Sequence, residues 1–96
     1  MLGSPEISIV IPVYNEEESL PQLFKELYPA MENLQRSFEI IFINDGSRDK
    51  SFAMLYDFQK EHEKTVRVID LNGNFGQHMA ITSGFANVRG KYIITL

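Results

Sequence analysis

Residues Ile7 to Glu16, ISIVIPVYNE, constrain this chain more than any other stretch. Ile7, Ile9, Val10, Ile11 and Val13 are β-branched, and Ser8 alone interrupts them before Pro12. An apolar run without alternation suits a strand buried on both faces, the habit of central strands in a parallel sheet. Pro12 has no N–H to give to a ladder, so regular pairing is expected to end about there. Tyr14, Asn15 and Glu16 then leave the carboxyl end of the strand, where open α/β sheets bind ligands.

The rest of the chain alternates. Leu20, Leu23, Phe24, Leu27, Met31 and Leu34 fall on one stripe of an amphipathic helix. Ser19 with Gln22 offers a capping box, Pro21 suits a first turn, and Pro29 is expected to kink or interrupt the helix. A second apolar strand over Phe38 to Ile43 runs into Asn44-Asp45-Gly46-Ser47, a turn composition. Asp49 can cap a helix over Lys50 to His62, with Met54, Leu55 and Phe58 inward and His62 facing solvent. A third strand, Val66 to Leu71, leads into Asn72 to Gly76, and a third helix is expected over Gln77 to Val88. There Gly84 allows close approach to the sheet and Gly90 suits a left-handed stop. Lys91 to Leu96 reads as a last strand.

The order β-α-β-α-β-α-β predicts a Rossmann-like parallel sheet. The expected spatial order is 3-2-1-4, with the ligand crevice at the switch point between strands 1 and 4. Met1 to Pro5 reads as a flexible lead-in to one domain over 6–96. Because the sequence stops on a strand pattern, it is expected to be the N-terminal part of a longer protein. Strand 4 would then be an open apolar edge, prone to pair with a second copy.

Composition narrows the function classes. The net charge is −4 with both signs interspersed and no basic patch, which disfavours nucleic acid as a partner. There is no cysteine, hence no disulfide framework and no thiolate zinc site. No apolar run approaches the ~20 residues of a membrane span. No glycine-rich dinucleotide fingerprint, P-loop or Ser-His-Asp set can be assigned.

Polar residues gather after strands 1, 2 and 3. An aromatic ring such as Tyr14 can pack on a nucleobase, and carboxylates such as Glu16 and Asp45 can accept from a ribose hydroxyl or a base N–H. Each has a plainer reading. Asp45-Gly46-Ser47 is by itself a turn and helix cap. Glu16 complements a helix dipole, worth ~0.3–1 kcal/mol. His78 suits a helix start.

The joint occurrence says more. Val10-Ile11-Pro12-Val13-Tyr14-Asn15-Glu16, then Glu39 to Ser47, then Asn74-Phe75-Gly76-Gln77-His78 stand in this order at α/β spacing. Together they resemble glycosyltransferase family 2, with the GT-A fold, and most of all its polyprenyl-phosphate branch. The resemblance covers nearly all of Ile7 to Leu96. It implies an inverting transferase that moves a sugar from a nucleoside-diphosphate donor, UDP-linked, to undecaprenyl phosphate in cell-envelope and lipopolysaccharide synthesis, at the cytoplasmic face of the inner membrane.

By the same resemblance Pro12 and Tyr14 line the nucleobase pocket, Glu16 holds the ribose and Asp45 the base edge. Asn74 joins the nucleotide site, while Asn44, Gly46, Gln77 and His78 border the cleft. Gly73 stands where many relatives carry Arg, and Asn44 replaces a common Asp. The resemblance places the ligands for Mg²⁺ or Mn²⁺ just after Leu96, so this segment alone is expected to bind nucleotide weakly and not to turn over. Two alternatives stay open: a family 2 transferase with a polysaccharide or other acceptor, and a non-catalytic α/β binding module.

Overall fold

The computed structural model describes residues 4–71 and 82–96. The elements are β1 (Ile7–Val13), α1 (Leu20–Asn33), β2 (Phe38–Asp45), α2 (Ser51–Glu61), β3 (Val66–Leu71) and β4 (Tyr92–Thr95). All strand pairings are parallel, and the order is β3-β2-β1-β4, as expected. The third helix expected over Gln77 to Val88 lies partly outside the described residues, with 82–85 helical.

The pleat sorts side chains onto two faces. Ile7, Ile9, Ile11 and Val13 join Ile40, Phe42 and Val66 on one face, packed against Leu20 and Met31 of α1 and Leu55 and Phe58 of α2. Phe24 stacks on Phe58 at 4.1 Å between ring centroids and meets Phe42 edge-on. Val10, Ile41 and Ile43 occupy the second face with Ile69, Leu71 and Val88. This is why β1 and β2 read as unbroken apolar runs: both faces are covered, and each fully buried Ile or Phe contributes roughly 2 kcal/mol. Gly84 lies on the second face, where a Cβ would overlap Val10 Cγ1, so the expected close approach is real.

Several local expectations are corrected. β1 continues through Pro12 to Val13, and Pro12 stays in register with Ile43. Amide groups of a parallel strand point alternately to its two neighbours. Tyr92 N donates to Glu6 O and Leu96 N to Val10 O, so the even positions of β1 face β4. The missing N–H of Pro12 therefore points toward β4, leaving the ladder to β2 intact. α1 runs unbroken through Pro29. Ser19 makes no side-chain cap; its hydroxyl donates to Glu16 Oε2 at 2.6 Å, while Gln22 bonds Glu26. His62 is not simply solvent-facing, because its ring stacks on Tyr28 at 3.9 Å. Gly90 does not take the left-handed conformation. It is required instead for space: a Cβ there would overlap Ser8 Oγ and lie 2.6 Å from Ser8 N and 2.8 Å from Ile7 C.

At the amino end of the second face sits a buried carboxylate. Glu39 accepts from Ser8 Oγ (2.5 Å), Arg67 Nη2 (2.8 Å), Arg89 N (2.7 Å) and Arg89 Nε (3.1 Å), and Gly90 N donates to Ser8 Oγ. The cluster ties β1, β2 and β3 to the segment that enters β4. Burial pushes the Glu39 pKa up, but the hydrogen bonds from Ser8, Arg89 and Arg67, with the Arg67 charge, outweigh it and hold the carboxyl below its ordinary range.

Candidate functional site

The carboxyl ends of β1 and β2 lie side by side, with Val13 opposite Asn44. The pleat that puts Val10, Ile41 and Ile43 on the second face puts Pro12 and Asp45 on that face too, at its carboxyl end. Pro12 is half-buried, and Asp45 is only 3% exposed. Tyr14 follows β1 and is 41% exposed, an aromatic residue at the surface that could receive a planar partner. Gly46 turns the chain at φ 76°, a conformation that suits glycine. Asn44 is buried on the opposite face, where its Nδ2 donates to Asp70 Oδ1 at 2.8 Å, and its own oxygen receives Ser47 N at 3.4 Å. Glu16 is exposed, and one carboxylate oxygen is taken up by Ser19. Asn74, Gln77 and His78 lie outside the described residues.

The loop after β1 and the loop after β2 are joined amide by amide. Asn15 N donates to Ser47 Oγ (3.0 Å), and Arg48 N donates back to Asn15 Oδ1 (2.8 Å). Glu17 N donates to Asp49 Oδ2 (3.1 Å), and Lys50 N returns to Glu17 Oε1 (3.2 Å). Between these two pairs, Glu16 N donates to Ser51 Oγ at 2.7 Å. Asp49 Oδ1 also receives Ser51 N at 2.9 Å, the helix-start role expected of it. Any burial of the Asp49 carboxyl raises its pKa, but donors from Ser51 and the Glu17 amide outweigh that and lower it.

Sequence reasoning missed Asp70 and Ser51. Asp70 had one signal, a carboxylate near the carboxyl end of a strand. Ser51 had none, since its partner Glu16 is 35 positions away. Among the described residues no three His, Asp or Glu side chains gather as metal ligands. Among the described residues, too, no helix is long and apolar enough to cross a membrane.

The chain is 46% identical over 91 residues to an undecaprenyl-phosphate 4-deoxy-4-formamido-L-arabinose transferase of Enterobacter sp. (strain 638), covering 95% of this chain and 28% of that protein. It is 49% identical over 90 residues to the protein of the same name from Pseudomonas fluorescens (strain SBW25), covering 94% of this chain and 26% of that one. The chain thus spans about a quarter of the length of these curated relatives.

Solved structures share the fold. Staphylococcus aureus TarS (residues 1–349) superposes with a TM-score of 0.69 at 23% identity, over 95% of this chain and 26% of that one. The mannosyltransferase PcManGT of Pyrobaculum calidifontis, solved with GDP-Man and Mn²⁺, gives 0.61 at 18% identity, over 86% of this chain and 24% of its own. The profile described as Glycosyl transferase family 2 matches residues 8–96, nearly the whole chain, and the chain belongs to that family of transferases.

Proposed function

We propose that this chain forms the donor-nucleotide half of an inverting glycosyltransferase that moves a sugar from a UDP-linked donor to undecaprenyl phosphate at the cytoplasmic face of the inner membrane. The observation that carries the reading is the 46–49% identity, over 94–95% of the chain, to transferases named for that acceptor. The site geometry supports it. Tyr14 offers a ring face for the base, and Asp45 a desolvated carboxylate for a base N–H, where low local dielectric strengthens a hydrogen bond. Glu16, whose amide is part of the interlock and whose side chain is exposed, would hold the ribose. By the family resemblance Asn74 would join the nucleotide site and Gln77 and His78 would border it; all three lie outside the described residues. A divalent cation, Mg²⁺ or Mn²⁺, would supply Lewis-acid stabilisation of the leaving diphosphate in the complete protein. By this reading its ligands would come from just after Leu96.

Calorimetric titration of the complete protein with UDP tests this. Asp45→Ala is expected to weaken UDP about 10- to 100-fold, the worth of one hydrogen bond to a charged group. Equal affinities for wild type and variant would remove Asp45 from the pocket. Tighter binding of GDP than UDP would overturn the uridine assignment.

A separate expectation concerns β4. Tyr92, Ile93, Ile94 and Leu96 are all more than two-fifths exposed, and β4 is an edge strand. The 96-residue chain studied alone is expected to self-associate through this edge. Sizing chromatography across a concentration series would show it as a shift toward dimer, and a constant monomer would rule it out.

A further inference from the structure

We propose that the interlock of residues 15–17 with 47–51 is a positioning device for the donor, and that Asn15, Glu17, Ser47, Asp49 and Ser51 are positioning residues. The inference rests on the donor-pocket reading above.

The first amides of a helix have no intrahelical acceptor and are usually met by a local cap. Here neither Ser19 before α1 nor Lys50 before α2 makes a side-chain cap. The first amides of the helices, Leu20 N and Ser51 N, are met locally by Glu16 O and Asp49 Oδ1, whereas the amides just ahead of them, at 15–17, 48 and 50, find their acceptors in the other loop. Two reciprocal pairs, Asn15 with Ser47 and Arg48, and Glu17 with Asp49 and Lys50, flank the bond from Glu16 N to Ser51 Oγ. Acceptors within the same loop would have met these donors while leaving the loops free to move apart. Crossed bonds fix one loop against the other.

The sequence order gives this a purpose. Positions 14 and 16 carry the ring and carboxylate assigned to the nucleoside, and 15 and 17 carry the acceptors of the interlock. Asp45 and Gly46 immediately precede Ser47. Every group assigned to the donor by these two loops is therefore within two residues of an interlock contact. Asn15 sits at φ 51°, a left-handed position that asparagine tolerates and that turns its amide and carbonyl oxygen toward the neighbouring loop. Holding these groups in place before the ligand arrives removes an ordering cost from binding.

The test uses the complete protein and UDP as the probe, with GDP alongside. The variant Asn15→Gly/Glu17→Ala removes the two acceptors given by the first loop, keeps the left-handed position accessible and touches no residue assigned to the donor. The exchange Asn15→Asp/Glu17→Gln keeps both acceptors and leaves net charge unchanged. The opened variant is expected to bind UDP about tenfold more weakly, with its melting temperature within about 5 °C of wild type. The exchange variant is expected to bind within about threefold of wild type. That rescue would separate positioning from mere folding.

Undiminished binding by the opened variant overturns the proposal, and so does equal loss in both variants. Wild type that binds neither UDP nor GDP overturns the donor reading and this inference with it, a result distinct from failure of the interlock alone. If the opened variant does not fold, Asn15→Gly alone, with Asn15→Asp as its rescue, is read by the same criteria, with about threefold weakening expected.

Discussion

Gly90→Ala is expected to lower stability by about 3 kcal/mol, at the upper end of what overpacking costs. The reason lies in what the new methyl group would meet. Ser8 N at 2.6 Å and Ile7 C at 2.8 Å are backbone atoms of the central strand and cannot rotate away. Relief would require the segment before β4 to lift off β1, which would also break the bond from Gly90 N to Ser8 Oγ. In urea the midpoint should fall with little change in slope, and for a domain of this size the melting temperature should drop on the order of 10–20 °C. Gly84→Ala provides the contrast. Its nearest obstruction is the Val10 side chain, so adding Val10→Ala should recover part of the loss. Ser8→Ala should not rescue Gly90→Ala, because the backbone contacts remain.

Glu39→Ala is expected to cost about as much, roughly 3 kcal/mol, for a different reason. The carboxylate is 1% exposed and accepts four hydrogen bonds, two from an Arg67 and an Arg89 side chain that reach solvent. Removing it leaves the Ser8 hydroxyl and the Arg89 amide without their acceptor. Glu39→Gln keeps the shape but turns an amide donor toward other donors, so it should recover little. The pH dependence follows from the lowered folded-state pKa. The Glu39 contribution is complete above the unfolded-state glutamate pKa and is lost as pH falls through the lower folded value. Urea midpoints from about pH 7 to about pH 3 should decline for wild type and decline less steeply for Glu39→Gln. Identical slopes would show that folding does not shift the Glu39 pKa.

The architecture was legible because it is written in local composition. Mainly apolar runs without alternation at Ile7–Val13 and Phe38–Ile43, each with a single polar residue, mark strands covered on both sides, and the helical stripe from Leu20 to Met31 marks what covers one of their faces. The carboxyl-end loops were legible for the same reason, since Tyr14-Asn15-Glu16 and Asn44 to Ser47 interrupt apolar strands with polar groups.

The misses share a cause as well. Ser19 was expected to cap its own helix, but a nearby carboxylate at Glu16 competes for its hydroxyl. Gly90 looked like a helix stop, and only the approach of Ser8, 82 positions away, reveals it as a spacer. Glu39 and Ser8 were visible as polar breaks in buried strands, yet nothing near them in sequence names Arg67 or Arg89 as partners. Local signals report the preference of a segment; they do not report which distant group will claim it.

Pro12 acts as the end stop of a zipper. Val10 closes against Leu96, but the next tooth on that side has no hydrogen to engage. The seam between the two strands therefore lacks one bond at its carboxyl end, through covalent chemistry rather than the posture of a loop. A residue with an amide hydrogen at this position would supply the missing donor and tighten the seam by one notch.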